Sequence, residues 1–272
     1  MLWSKIAGAG GAGGIVAPWN VSTAVFNQSF SVAGQGIYPK GVFFKPDGLK
    51  MYVIGAYGDG VDEYNLSAAW NVSTAVFVRS FSVAAQEALP YSVFFKPDGL
   101  KMYVIGPSGD DVNEYNLSTA WNISTAVFVQ SFSIAAQETN PFGVFFKPDG
   151  LKMYVIGATG DDVNEYSLSV AWNVSTAVFM QSFSVAAQDT NPQSLFFKPD
   201  GLKMYVVGAA DVGVNEYNLS TAWNISTAVF VQSFSVAAQD IWPQGLFFKP
   251  DGLKMYVVGA YGKDVNEYDL TA

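Results

Sequence analysis

One hexapeptide, Phe-Phe-Lys-Pro-Asp-Gly, begins at Phe43, Phe94, Phe145, Phe196 and Phe247, and every step between copies is 51 residues. Trp-Asn keeps the same step at Trp19, Trp70, Trp121, Trp172 and Trp223, and Glu-Tyr keeps it at Glu63, Glu114, Glu165, Glu216 and Glu267. No insertion or deletion interrupts the series. A chain built this way cannot assemble its core from unlike parts. Each unit has to bury its apolar face against another copy of itself.

Four strands are predicted in each unit. In the first full copy, residues 92–96 form the innermost strand, and Pro97-Asp98-Gly99 then turns the chain. Proline presets φ there, and the glycine takes the left-handed position of a tight hairpin. Residues 100–106 form the second strand and 112–117 the third; a turn over 118–125 carrying Trp121-Asn122 leads to the outermost, 126–134. Four-stranded units of this length are the signature of propeller blades. The frame of the chain supplies the closure. It opens with an outermost strand, 24–32, and ends with a third strand, 265–270, that has no outermost strand after it. The first strand is therefore expected to complete the last blade, leaving no long sheet edge open. A solenoid needs atypical capping units, and the first and last copies look like the middle ones. The expected fold is an all-β, five-bladed β-propeller of four-stranded antiparallel blades, a monomeric ring over 19–272, preceded by a Gly/Ala-rich arm over 1–18.

Phe-Phe-Lys-Pro-Asp-Gly-Leu-Lys-Met-Tyr-Val resembles the Pro-Asp-Gly…Tyr-Val hairpin of bacterial propeller repeats of the YVTN and NHL kind. The doubled Phe and the blade count also resemble the tachylectin-type five-bladed lectins, which implies binding of N-acetylated sugars between blades. The Gly-Gly-Trp segment that those lectins carry ahead of the innermost strand has no counterpart here. Met1-Leu2-Trp3-Ser4-Lys5 ahead of a glycine run resembles the opening of some phage structural proteins.

The chain has no Cys and no His, which removes disulfides, thiolate or imidazole metal sites, and Ser-His or Cys-His nucleophiles. Its balance of 23 acidic against 14 basic residues, a formal charge of −9, argues against nucleic acid or an anionic membrane as partner. No stretch is long and apolar enough for a bilayer span. The arm from Gly8 to Gly14 reads as a tether or attachment peptide rather than a signal peptide, whose apolar segment would here be mostly glycine.

Differences between the copies cluster in two connections. One lies between outermost and innermost strands, with Tyr38, Lys40, Tyr91, Asn140, Phe142, Asn191, Gln193, Trp242 and Gln244; the other, between second and third strands, holds Tyr57 and Tyr261. In an antiparallel blade both emerge on the same side of the disc, so one face is varied and the other uniform. Flat aromatics beside amides suit polar ligands or a protein partner. These eleven residues are the expected ligand site, on a non-enzymatic module for a glycan or surface receptor in an extracellular or virion-associated setting. The alternative is a structural or scaffold propeller, of a virion, a cell surface, or a recently amplified or designed chain, with no specific ligand. Catalysis is not expected, because the innermost strands carry no acid and the repeated acids lack the unlike environments that acid and base roles need. No cofactor or metal is expected either: Asp110-Asp111 and Asp161-Asp162 read as solvated loop carboxylates. The Trp of Trp-Asn reads as packing, the Glu of Glu-Tyr as a hydrogen-bonded ring contact, and the Asn-x-Ser triplets, such as Asn122-Ile123-Ser124, as turn chemistry.

Overall fold

Every unit folds into four antiparallel strands in the computed structural model, which describes residues 18–35, 38–56, 58 and 60–270. The arm lies outside the described residues except for Pro18. The strand β1 (Ala24–Ser31) comes first. Blade 1 then runs β2 (Pro39–Phe44), β3 (Lys50–Gly55), β4 (Gly60–Leu66) and β5 (Ala75–Ser82), and blade 2 runs β6 (Ser92–Phe95), β7 (Lys101–Gly106), β8 (Asp111–Leu117) and β9 (Ala126–Ser133). Blade 3 comprises β10 (Pro141–Phe146), β11 (Lys152–Gly157), β12 (Asp162–Leu168) and β13 (Ala177–Ser184). Blade 4 comprises β14 (Pro192–Phe197), β15 (Lys203–Gly208), β16 (Gly213–Leu219) and β17 (Ala228–Ser235). Blade 5 has three strands of its own, β18 (Pro243–Phe248), β19 (Lys254–Gly259) and β20 (Asp264–Leu270), and takes β1 as its fourth. Ala24 lies opposite Leu270 and Ser31 opposite Asp264, so the ring is a five-bladed β-propeller closed by its own first strand.

One feature of the strands departs from expectation. In blades 1, 3, 4 and 5 the innermost strand starts at its proline, and the residue after it is skipped in the pairing: Pro39 faces Gly55 and Gly41 faces Ile54, leaving Lys40 unmatched. Phe142, Gln193 and Gln244 are skipped in the same way. These are bulges, which bend a strand and re-aim one side chain. The four residues thus belong to sheet edges and not to loops.

The axis is not an open channel. Phe43, Phe94, Phe145, Phe196 and Phe247 meet edge to face around it, with ring centroids 5.2–5.3 Å apart and planes inclined by 68–71°. That is the arrangement aromatic quadrupoles favour. Above this plug the axis holds only a space of about 20 Å³, room for a single water.

Blades are joined by the repeated tryptophans, which are buried as expected and adopt positive φ, from 62° to 66°. Trp121 stacks on Phe43 of blade 1 and packs on Phe95 of its own blade, while its carbonyl accepts a 2.7 Å hydrogen bond from the Tyr52 hydroxyl of blade 1. The same bond recurs at all five seams. Trp121 also lies over Gly99, whose φ is +73° as the turn requires; a Cβ there would fall 2.4 Å from the indole.

The repeated glutamates form a second tie. Glu114 is 1% exposed, binds Lys101 of its own blade, and accepts bonds from Gln130 Nε2 (2.9 Å) and from the backbone N–H of Val174 in blade 3 (3.2 Å). Asn122 accepts from the N–H of Ser124 and caps a 3-10 turn, so that Asn-x-Ser triplet is turn chemistry.

Two outcomes follow from these joints. Deleting residues 1–32 removes both Trp19 and β1 and bares the edge of β20, so the truncated chain is expected to dimerise or aggregate. Size-exclusion chromatography with light scattering reads this, and a monomer of unchanged melting temperature would contradict the closure. Gly99→Ala meets both left-handed strain and the Trp121 indole, and is expected to cost about 3 kcal/mol in chemical denaturation.

Candidate functional site

The bulge after Pro39 turns Lys40 over the centre of the varied face. Its ammonium nitrogen lies 4.5 Å from the centre of the Tyr91 ring and 5.8 Å from that of Trp242, and donates a 2.6 Å hydrogen bond to Gln244 Oε1. Phe142 stacks behind Tyr91, with centroids 5.2 Å apart and planes 23° from parallel. Tyr38, Lys40, Ala56, Leu89, Tyr91 and Trp242 enclose a pocket of about 330 Å³ spanning blades 5, 1 and 2. That volume suits a small molecule of about sugar size.

Lys40 has no carboxylate within ion-pair distance among the described residues. Loss of water around its amine holds its pKa down to about 8. The Tyr91 face favours the ammonium, but a cation–π contact contributes only about 1 kcal/mol, so desolvation prevails.

The structure gathers some of the expected residues and separates others. Tyr38, Lys40, Tyr91 and Trp242 line the pocket, with Gln244 and Phe142 buttressing it. Gln193 is buried and gives its amide to Asn191, at 3.1 Å to the carbonyl and 2.7 Å to the side-chain oxygen. Asn140 contributes its backbone, donating to Glu138 and accepting from Ala158. Tyr261 is 71% exposed and takes no part in the pocket wall. Tyr57 falls outside the described residues.

Sequence reasoning passed over the apolar wall of Leu89 and Ala56, and it missed what fixes the varied connections. Four buried acids, Glu87, Glu138, Asp189 and Asp240, each accept backbone N–H bonds from both connections of a blade. Glu138, for example, takes the N–H of Asn140 at 2.6 Å and that of Thr159 at 3.1 Å. Their recurrence at 51-residue steps was a legible signal. A side-chain clamp holds the loops while leaving their other residues free to change.

Blade 4 varies the clamp. Blades 2, 3 and 5 place an acid at the start of the third strand, where Asp111, Asp162 and Asp264 bind Asn113, Asn164 and Asn266. Blade 4 has Gly213 there, and Asp211, two residues earlier, takes over the bond to Asn215 at 2.8 Å. This turns Asp211 toward Asp189. Although the residue as a whole is exposed, its carboxyl is raised to about 7, first by desolvation and then by its hydrogen bond with Asp189. The fold favours the protonated Asp211 carboxyl, so this contribution is complete below the ordinary carboxylate range and is lost as pH rises to about 7. Asp211→Asn is expected to gain melting temperature over the parent between about pH 4 and 7 and to keep that gain above 7. A pH-independent difference would contradict the raised Asp211 carboxyl.

No protein-family model and no curated protein matches this chain. Solved structures do. A Lactobacillus plantarum protein superposes with a TM-score of 0.54 at 15% identity, over 85% of this chain and 67% of its own. A putative 6-phosphogluconolactonase from Bacteroides uniformis gives 0.51 at 13%, over 91% and 74%. The periplasmic gluconolactonase of Pseudomonas aeruginosa gives 0.50 at 18%, over 85% and 66%. At these identities the likeness is one of fold.

It nevertheless overturns the non-enzymatic expectation. Proteins named as lactonases share this fold, so the ring is no mark of a purely binding module. The missing carboxylate pair, on which that expectation rests, bears on glycoside cleavage and not on other hydrolyses. The ligand-free scaffold fits no better.

Proposed function

We propose that the pocket over the propeller axis is the active site of a hydrolase for a small cyclic ester of the sugar-lactone type. The observation that carries this reading is Lys40, a half-buried amine without a carboxylate partner, whose pKa of about 8 suits proton transfer near neutral pH. The lactonase names among proteins of this fold support the choice of substrate class.

The chemistry asks little of the protein. A lactone already carries a reactive carbonyl carbon, so one base that removes a proton from water as it adds is sufficient. In the pocket, neutral Lys40 takes that proton, and Gln244 holds the amine in place through its side-chain oxygen. Tyr91 and Trp242 flank the ring of the substrate with flat apolar surfaces. The proton then passes to the ring oxygen as the acyl carbon–oxygen bond breaks, leaving the hydroxy acid.

Hydrolysis of gluconolactone followed in a pH-stat, with the spontaneous rate subtracted, tests the reading. kcat/KM is expected to rise with pH to a plateau with a midpoint near 8, since the neutral amine is the active form. The titratable side chains lining the pocket with Lys40 are Tyr38 and Tyr91. Lys40→Met is expected to lose roughly 100-fold or more in rate, within the range for loss of a general base. Trp242→Ala is expected chiefly to raise KM. Parental turnover by the Lys40→Met protein, or no rate above buffer in the parent, would overturn the proposal.

A further inference from the structure

We propose that Lys40 is also a carbonyl-capturing amine, condensing with the aldehyde carbon of a small open-chain hydroxyaldehyde to form an imine. This activity stands apart from lactone hydrolysis: there the amine accepts a proton, whereas here it forms a bond to carbon.

The charge pattern singles the residue out. Lys45, Lys96, Lys147, Lys198 and Lys249 are each bound to the Asp of their Pro-Asp-Gly turn. Lys50, Lys101, Lys152, Lys203 and Lys254 are each bound to a buried Glu, and Arg79 lies against Glu63. Each of these cations is committed to a carboxylate. Among the described residues only Lys40 and Lys263 lack such a partner. Lys263 sits on the connection between β19 and β20, away from the pocket wall, whereas Lys40 projects into an aromatic-walled cavity. Burial also leaves more of its amine neutral than an exposed lysine keeps at the same pH.

Geometry favours capture in the same way. The nitrogen is held 2.6 Å from the Gln244 oxygen, with Tyr91 and Trp242 on its flanks. A bound aldehyde of up to monosaccharide size fits the space of about 330 Å³ with its carbonyl carbon beside that nitrogen. The step balances without a co-reactant. The nitrogen lone pair forms the new C–N bond, the two amine protons leave with the carbonyl oxygen as water, and a C=N bond remains. Partial exclusion of bulk water from the aromatic-walled pocket slows the reverse reaction.

The test uses the full chain with glycolaldehyde and sodium cyanoborohydride at pH 7, followed by peptide mass mapping of every lysine. Lys40 is expected to be alkylated roughly tenfold or more faster than the paired lysines, given its lowered pKa. Lys40→Arg, which keeps the charge but forms no such imine, is expected to lose the fast site while the remaining lysines label at their former slow rates. Gluconolactone is expected to protect Lys40 if both ligands share the pocket. Labelling spread evenly over the lysines, or led by Lys263, would overturn the inference. Selective labelling in a protein without lactone turnover would uphold it and remove the hydrolase reading alone.

Discussion

At every seam of the ring a tryptophan stands in a left-handed backbone conformation, and the other contacts are arranged around it. Such a backbone costs roughly 1–2 kcal/mol for a residue with a Cβ. Burial of an indole removes about 200 Å² from water, worth up to about 5 kcal/mol, so packing wins. The conformation also aims the carbonyl of Trp121 at the Tyr52 hydroxyl of the preceding blade, at 2.7 Å. The glycine of the Pro-Asp-Gly turn is required twice over, by its own φ and by the indole that covers it. These demands keep the uniform face uniform.

The opposite face obeys a looser constraint. Its connections are held by carboxylates such as Glu138 and Asp189, which bind backbone N–H groups rather than particular side chains. Residues between those anchoring points therefore change without loosening the loop. In four of the five blades the bulge after the proline then delivers one free choice toward the axis: Lys40, Phe142, Gln193 or Gln244. Only blade 1 uses it for a cation. A nearly five-fold body thus carries a site without five-fold symmetry.

The proposed hydrolase reading turns on that asymmetry. Acids that recur in every blade cannot divide acid and base roles between them, and this holds for Glu63 and its equivalents, which tie blades together or to their own lysines. A single amine whose pKa is shifted by its surroundings needs no such division. The state of the Lys40 amine comes from desolvation and from the absence of a carboxylate partner, and neither is visible in the residue's name.

The strand count, the left-handed glycines and the closure by residues 24–32 were all legible in the sequence, because each depends on local backbone preference or on counting strands. The varied face was legible too, since internal copies expose their own differences. The pairing register and the ring were required for the rest. Which residue is skipped after Pro39 depends on hydrogen bonds to β3, and that register aims Lys40 at the axis. Its partners Gln244 and Trp242 lie about two hundred residues away and arrive only when blade 5 closes against blade 1. The same closure brings the five Phe rings edge to face and seals the axis. Sequence determined the units and their order; the pocket and the state of its amine were decided by ring closure, because desolvation and contact depend on what surrounds a group in space.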